Sequence, residues 1–122
     1  MRAILINPGD RSIGVVDLPD FPHAIRRKYG GAKLVRIATL PAGDRVHLLV
    51  AHHDYAPSFS LGGSGPHHGL GLILGRRGLY GMLMNSRTDV ESLAAILKFG
   101  PAGETHLANA VVETSAEGQP GN

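Results

Sequence analysis

The sequence contains no cysteine, few aromatic residues and no long apolar run. Without cysteine there are no disulfides, no thiolate zinc sites and no thiol nucleophiles. Every apolar segment is shorter than the roughly 18 residues that span a bilayer. The first residues also lack the basic start, apolar centre and cleavage site of a signal peptide. We therefore expect a soluble, cytoplasmic protein with no membrane partner.

The residues that are present suit one compact domain. The chain has 122 residues, of which 43% are hydrophobic, so it is long enough for a single buried core. We predict one α+β domain over residues 1–100. The small polar residues of 101–122 predict a partly ordered or flexible tail, with a short strand or helical turn near 107–112.

Hydrophobic periodicity and turn residues divide the domain into short elements. Apolar and alternating segments predict strands near residues 2–6, 12–18, 34–40, 46–51, 70–75 and 79–84. Helices are predicted after Asp20, which is placed to cap the first, and over 88–98, where Thr88 and Glu91 have capping-box spacing. Together these elements predict a mainly antiparallel sheet of five or six strands with two short helices on one face.

The segment HHDYAPSFSLGGSGPHHGLG, residues 52–71, is rich in histidine and glycine. One interpretation is a site for a divalent metal, formed by His52 or His53, Asp54, and His67 or His68, with one coordination position left open. However, the spacing matches no established ligand motif, and glycine-rich backbone does not preorganise imidazoles. The interpretation we favour is a mobile, solvated loop over about 54–69 that holds no cofactor.

Other catalytic motifs are not found in the sequence. The glycine-rich segment lacks the lysine and spacing of a P-loop, although Gly63-Ser64-Gly65 could form a small anion-binding nest. Ser64 has Gly62 before it but Pro66 after it, so it does not form a nucleophile elbow. We therefore assign no catalytic residue, and we expect that the protein is not an enzyme.

Positive charge is concentrated in the first half of the chain. Residues 1–50 contain eight Lys or Arg and four Asp. Residues 51–122 contain four Lys or Arg and six Asp or Glu. The candidate site for an anion or a nucleic acid comprises Arg26, Arg27, Lys28, Lys33 and Arg36. A solvated helix face is the simpler interpretation of this cluster. Arg36 stands out because it interrupts an apolar row of its predicted strand.

The order of the motifs resembles that of a known family. The similar features are a first strand running into Asn7-Pro8-Gly9, a strand that ends in LLVAHHD, and a GLILGR segment at 71–76 followed by a capped helix over 88–97. These features, within residues 1–98, resemble an uncharacterised family of small proteins from phages, plasmids and bacterial genomes. The resemblance implies an accessory protein of a mobile genetic element, and it supplies no active site.

These observations lead to one functional expectation and two alternatives. We expect a non-enzymatic accessory protein that binds a host macromolecule, with a protein as the partner, for example as an inhibitor of host defence. The first alternative is a metal-binding protein or metal-dependent hydrolase that uses the histidine-rich segment. The second is a weak nucleic-acid binder that uses the basic N-terminal half. The identity of the partner and a homo-oligomeric state stay open.

Overall fold

The computed structural model describes residues 1–50 and 55–100, and also a two-residue strand at 111–112. The strands are β1 (Arg2–Asn7), β2 (Ser12–Asp17), β3 (Lys33–Thr39), β4 (Arg45–Val50), β5 (Ser58–Leu61), β6 (Ser64–His68), β7 (Leu70–Leu74), β8 (Leu97–Gly100) and β9 (Val111–Val112). The helices are α1 (Pro22–Lys28) and α2 (Val90–Ile96), and a single 3-10 turn covers Leu79–Gly81.

The strands form two sheets. The larger sheet has the order β3-β4-β7-β1-β2-β9, in which all neighbours are antiparallel except β9, which runs parallel to β2. The smaller sheet has the order β6-β5-β8 and is antiparallel throughout. The predicted α+β class and the mainly antiparallel sheet are therefore confirmed.

One hydrophobic core lies between the larger sheet and the layer formed by the smaller sheet and α2. Ile6 and Ile73 of the larger sheet pack there against Phe59 and Phe99 of the smaller sheet. Gly71 of β7 makes room for this packing, because a Cβ atom at Gly71 would lie 2.8 Å from Cζ of Phe59. The two sheets thus approach each other closely where one side chain is missing.

A second core lies on the opposite face of the larger sheet, under α1. Successive side chains of a strand point to opposite faces, so Ala3 and Leu72 face away from the first core. Ile25, the fully buried residue of α1, packs against them, and Tyr29 at the end of the helix packs at the margin of this core.

The placement of the helices differs from the prediction. Ile25 of α1 belongs to the second core, whereas Val90 and Leu93 of α2 belong to the first, so the two helices cover opposite faces of the larger sheet. The sequence showed that both helices have an apolar stripe, but a stripe does not state which face it covers.

The predicted mobile loop over 54–69 is wrong for most of its length, because β5 and β6 occupy it as a hairpin. The turn between them contains Gly62, whose positive φ of 57° suits glycine. The predicted strand over 79–84 is also wrong. Tyr80 has a φ of 59° inside the 3-10 turn, and only a single bridge between Arg77 and Leu83 remains of the expected pairing.

Both helices begin differently from the prediction. Asp20 does not cap α1, whose first residue follows Phe21 without any side-chain cap. Helix α2 is capped by Asp89, which accepts a hydrogen bond from the backbone N–H of Ser92 at 3.1 Å. Thr88 is not the cap: it precedes Asp89, and its hydroxyl donates to Oδ2 of Asp44. The helix also ends earlier than expected, at Ile96, because the next four residues form β8.

The predicted tail over 101–122 lies outside the described residues, apart from the strand at 111–112. Within the described part of the chain, no helix has the length and apolar character needed to cross a membrane.

Candidate anion-binding site

A cavity of about 350 Å³ opens between α1 and the face of the larger sheet that carries the second core. Its lining includes the residues that we name the arginine pocket: Arg26, Arg36, Arg45, Arg77 and His47. Apolar side chains of Leu34, Leu74 and Leu83 complete much of the wall. The cavity thus combines a positively charged lining with a partly apolar one.

Strand pairing brings three of these residues together. Arg36 of β3 pairs directly with His47 of β4, and side chains at paired positions project from the same face of a sheet. Arg45 lies two residues before His47 on β4, so its side chain projects from that face as well. A register shift between Arg36 and Ala38 interrupts the pairing just beyond this point.

Arg77 comes to the cavity through a short hairpin that follows β7. The hairpin closes where Arg77 bridges Leu83 and where the N–H of Met84 donates to the carbonyl of Arg76 at 2.8 Å. Gly75 allows this close approach, because a Cβ atom there would collide with the carbonyl oxygen of Met84. The N–H of Leu83 donates at 2.8 Å to the carbonyl of Asp20, which ties the hairpin to the segment before α1.

Arg26 approaches from the opposite side, on α1. Its Nε donates a hydrogen bond of 3.1 Å to the carbonyl of Ala32, beyond the end of the helix. This contact fixes the position of the side chain while the terminal guanidinium nitrogens stay available. Arg26 itself remains exposed, as do Arg36 and Arg77, so a ligand can reach all three groups.

The positive charge of the pocket is not neutralised within residues 1–50 and 55–100. No Asp or Glu lines the cavity, and none of its four guanidinium groups forms an ion pair with a described carboxylate. Like charges held close together repel one another, so an arrangement of this kind attracts an anion.

His47 has a pKa below the ordinary value for histidine. Burial is the main cause; a backbone contact with Arg45 opposes the shift, and the positive charges of Arg36, Arg45 and Arg77 each lower the pKa further. Its Nδ1 atom is buried and has no well-formed hydrogen bond. The imidazole is thus neutral at pH 7 and becomes easier to protonate when an anion enters the pocket.

The basic cluster expected from the sequence is divided by the fold. Arg26 and Arg36 line the cavity, whereas Arg27, Lys28 and Lys33 do not. Lys33 lies three residues before Arg36 on β3, and alternation places their side chains on opposite faces.

Arg45, His47 and Arg77 were not among the site residues predicted from the sequence. The alternation of β4 places Arg45 and His47 on one face, and this signal was available in the sequence. The contribution of Arg77 depends on where the hairpin after β7 turns: the sequence predicted strands near 70–75 and 79–84, whereas Arg77 bridges Leu83 and the turn lies between them.

The histidines at 67 and 68 lie on β6 and have partners within the fold. Nε2 of His67 is 3.0 Å from Oγ of Ser64, and its ring packs against Phe59 with centroids 5.5 Å apart. Burial and the neighbouring His68 lower the pKa of His67. Nδ1 of His68 lies 3.1 Å from the carbonyl oxygen of Tyr55, so that nitrogen carries the proton.

The remaining proposed metal ligands, His52, His53 and Asp54, lie outside the described residues. In the portion of the chain that can be described, no three His, Cys, Asp or Glu side chains come close enough to hold a metal ion together. The sequence therefore remains the only support for the metal hypothesis.

No family model, no curated protein and no solved structure matches this chain. The resemblance to an uncharacterised phage and plasmid family therefore stays a prediction.

Proposed function

We propose that this protein is a binding protein and that the arginine pocket holds phosphate groups of its ligand. The observation that carries the proposal is the convergence of four guanidinium groups from separate parts of the fold on one cavity whose lining has no carboxylate. Side chains this far apart in the sequence, at positions 26, 36, 45 and 77, come together only in the folded chain.

The type of cation favours phosphate. The guanidinium group is planar and always charged, and its paired N–H donors match two oxygens of a phosphate group. All four cations in the pocket are arginine, and none of the lysines lines it. Leu34, Leu74 and Leu83 line the same cavity, and Arg26, Arg36 and Arg77 are exposed, so an anion can reach their guanidinium groups.

The wider role remains the one that the family resemblance implies. An accessory protein of a phage or plasmid that binds a host macromolecule would need a surface for that macromolecule. Nucleic acids and phosphorylated proteins are the common macromolecules with phosphate groups, and the arginine pocket offers a surface for either.

The experiment is isothermal titration calorimetry with pyrophosphate at low ionic strength, using neighbouring arginines as a matched pair. Arg77→Ala removes a pocket guanidinium, whereas Arg76→Ala removes the same charge one residue earlier, outside the lining. We expect Arg77→Ala to weaken binding by roughly tenfold to a hundredfold, since a hydrogen bond to a charged group contributes about 1.5 to 3 kcal/mol. Arg76→Ala should change it little.

A second pair, Arg26→Ala and Arg27→Ala, tests the other wall of the cavity, because only Arg26 lines it. If both members of each pair lose the same affinity for pyrophosphate, then binding depends on the overall charge of the protein and not on the pocket. That result would contradict the proposal.

A further inference from the structure

The hairpin that carries Arg77 exposes apolar residues at its tip. Tyr80 is 91% exposed and Leu79 is 80% exposed, and Met82 and Met84 are exposed on the returning side. An isolated apolar residue on a surface needs no explanation, but a tyrosine and a leucine side by side in solvent are unusual.

The backbone holds this tip in a fixed conformation. The N–H of Gly78 donates to the carbonyl of Met82 at 2.6 Å, and the N–H of Met82 donates to the carbonyl of Leu79 at 3.3 Å. Tyr80 adopts a φ of 59°, which side-chain-bearing residues rarely adopt, and Gly81 follows with a φ of 79°. A tyrosine side chain has only two χ torsions, so holding the ring against a ligand costs little conformational entropy.

The tip lies next to the arginine pocket. Tyr80 follows Arg77 by three residues, so their Cα atoms are at most about 11 Å apart. A nucleic-acid strand advances about 3.4 Å per nucleotide when stacked, so two to four nucleotides cover that span. A positively charged cavity beside an exposed aromatic ring is the arrangement by which single strands are bound, with phosphates on arginine and a base on the ring.

We propose that the ligand of the arginine pocket is a single-stranded nucleic acid, with its phosphates on the pocket arginines and a base stacked on Tyr80. This inference rests on the proposed function, because it assumes that the pocket binds phosphate. A single strand supplies phosphates that can contact the four pocket arginines, and it supplies unpaired bases. A duplex keeps its bases stacked inside the helix and leaves Tyr80 without a partner.

The test measures fluorescence anisotropy of a labelled single-stranded oligonucleotide of about ten nucleotides, a length within the range that small binding domains cover. Tyr80→Ala should weaken binding about tenfold, since stacking of one base contributes roughly 1 to 3 kcal/mol. Tyr80→Phe keeps the ring and should bind like the unmodified protein. Circular dichroism and thermal unfolding of each variant show whether it is folded.

Leu79→Ala is the matched control at the tip, because Leu79 is nearly as exposed but has no ring. If Leu79→Ala weakens binding as much as Tyr80→Ala, the tip acts as a general apolar contact and the stacking inference is wrong. A duplex of the same length, or a phosphoserine peptide, that binds as tightly as the single strand would also overturn it.

The two proposals fail in different ways. If Tyr80→Ala leaves oligonucleotide binding unchanged while Arg77→Ala weakens pyrophosphate binding, the pocket binds phosphate but the single-strand inference falls. If Arg77→Ala changes neither measurement, the proposed function falls as well.

Discussion

Charged side chains have hydrogen-bond partners within the fold at one place in this protein and lack a carboxylate partner among the described residues at another. We call the first place the Asp44 junction; there Arg2 and Asp44 meet the segment Ser86–Thr88. Nη1 of Arg2 donates to the carbonyl and the hydroxyl oxygen of Ser86 and to the carbonyl of Thr88. At the arginine pocket, by contrast, the described residues provide no carboxylate partner for four guanidinium groups.

Asp44 and the pocket arginines differ in burial and in their hydrogen-bond partners. Asp44 is fully buried, and its Oδ2 accepts hydrogen bonds from the backbone N–H groups of Arg87 and Thr88, each at 2.7 Å. A buried charge that is bonded in this way fixes the turn before β4 against the start of α2. The pocket arginines form no ion pair with a described carboxylate, and Arg26, Arg36 and Arg77 stay exposed. Charge at the junction therefore serves the fold, and charge in the pocket is free to serve a ligand.

The largest effect is expected from Asp44→Ala. This change leaves the part-buried N–H groups of Arg87 and Thr88, and the Thr88 hydroxyl, without their acceptor, and each lost hydrogen bond to a charged group contributes about 1.5 to 3 kcal/mol. The free energy of unfolding in urea should fall by about 3 kcal/mol or more, while the protein that remains folded still binds pyrophosphate. Asp17→Ala is the control, because the Asp17 side chain is 95% exposed and its ion pair with the N-terminus contributes little. A similar loss for both variants would contradict the special role of the junction.

The sequence was sufficient to predict the helices and hairpins that depend on residues close together in the chain. The β1 and β2 hairpin, the β3 and β4 hairpin, and both helices follow from apolar periodicity interrupted by Pro, Gly and Asp. Local signals failed where a distant residue decided the conformation. Asp44 engages Thr88 and leaves Asp89 to cap α2, which no spacing within 88–98 could indicate.

The candidate site was predictable only in part for the same reason. Arg26, Arg27 and Lys28 are adjacent in the sequence and were predicted to act together, although a helix turns adjacent side chains in different directions. Arg36 was noted because it broke an apolar row, and the structure places it in the pocket. The histidine-rich segment was conspicuous for its composition, yet His67 and His68 are bonded within the fold.

A smaller change in the free energy of unfolding is expected when Arg2 and Arg36 are each replaced by glutamine. Arg2→Gln removes charged hydrogen bonds to Ser86 and Thr88 and should lower the free energy of unfolding by about 2 kcal/mol. Arg36→Gln removes one of several mutually repelling charges, so it should change stability by less than about 0.5 kcal/mol in either direction. Thermal and urea unfolding in a buffer without multivalent anions measure both. Strong destabilisation by Arg36→Gln would mean that the pocket charges are structural, and the comparison would fail.

The smallest effect concerns the pH dependence of the pocket. Because the pKa of His47 is lowered in the folded protein, the unfolded chain binds more protons once the pH falls below about 6.5. The contribution of His47 to stability is therefore complete above that pH and is lost as the pH falls towards the lowered pKa.

An anion in the pocket should reverse part of this loss, because it favours protonated His47. Calorimetry with sulfate, which does not titrate between pH 5 and 7, should detect uptake of a fraction of a proton on binding. His47→Gln should abolish the uptake, whereas His67→Gln, which removes another histidine of lowered pKa away from the pocket, should leave it intact. If uptake persists in His47→Gln, the proton enters elsewhere, and His47 is not part of the anion site.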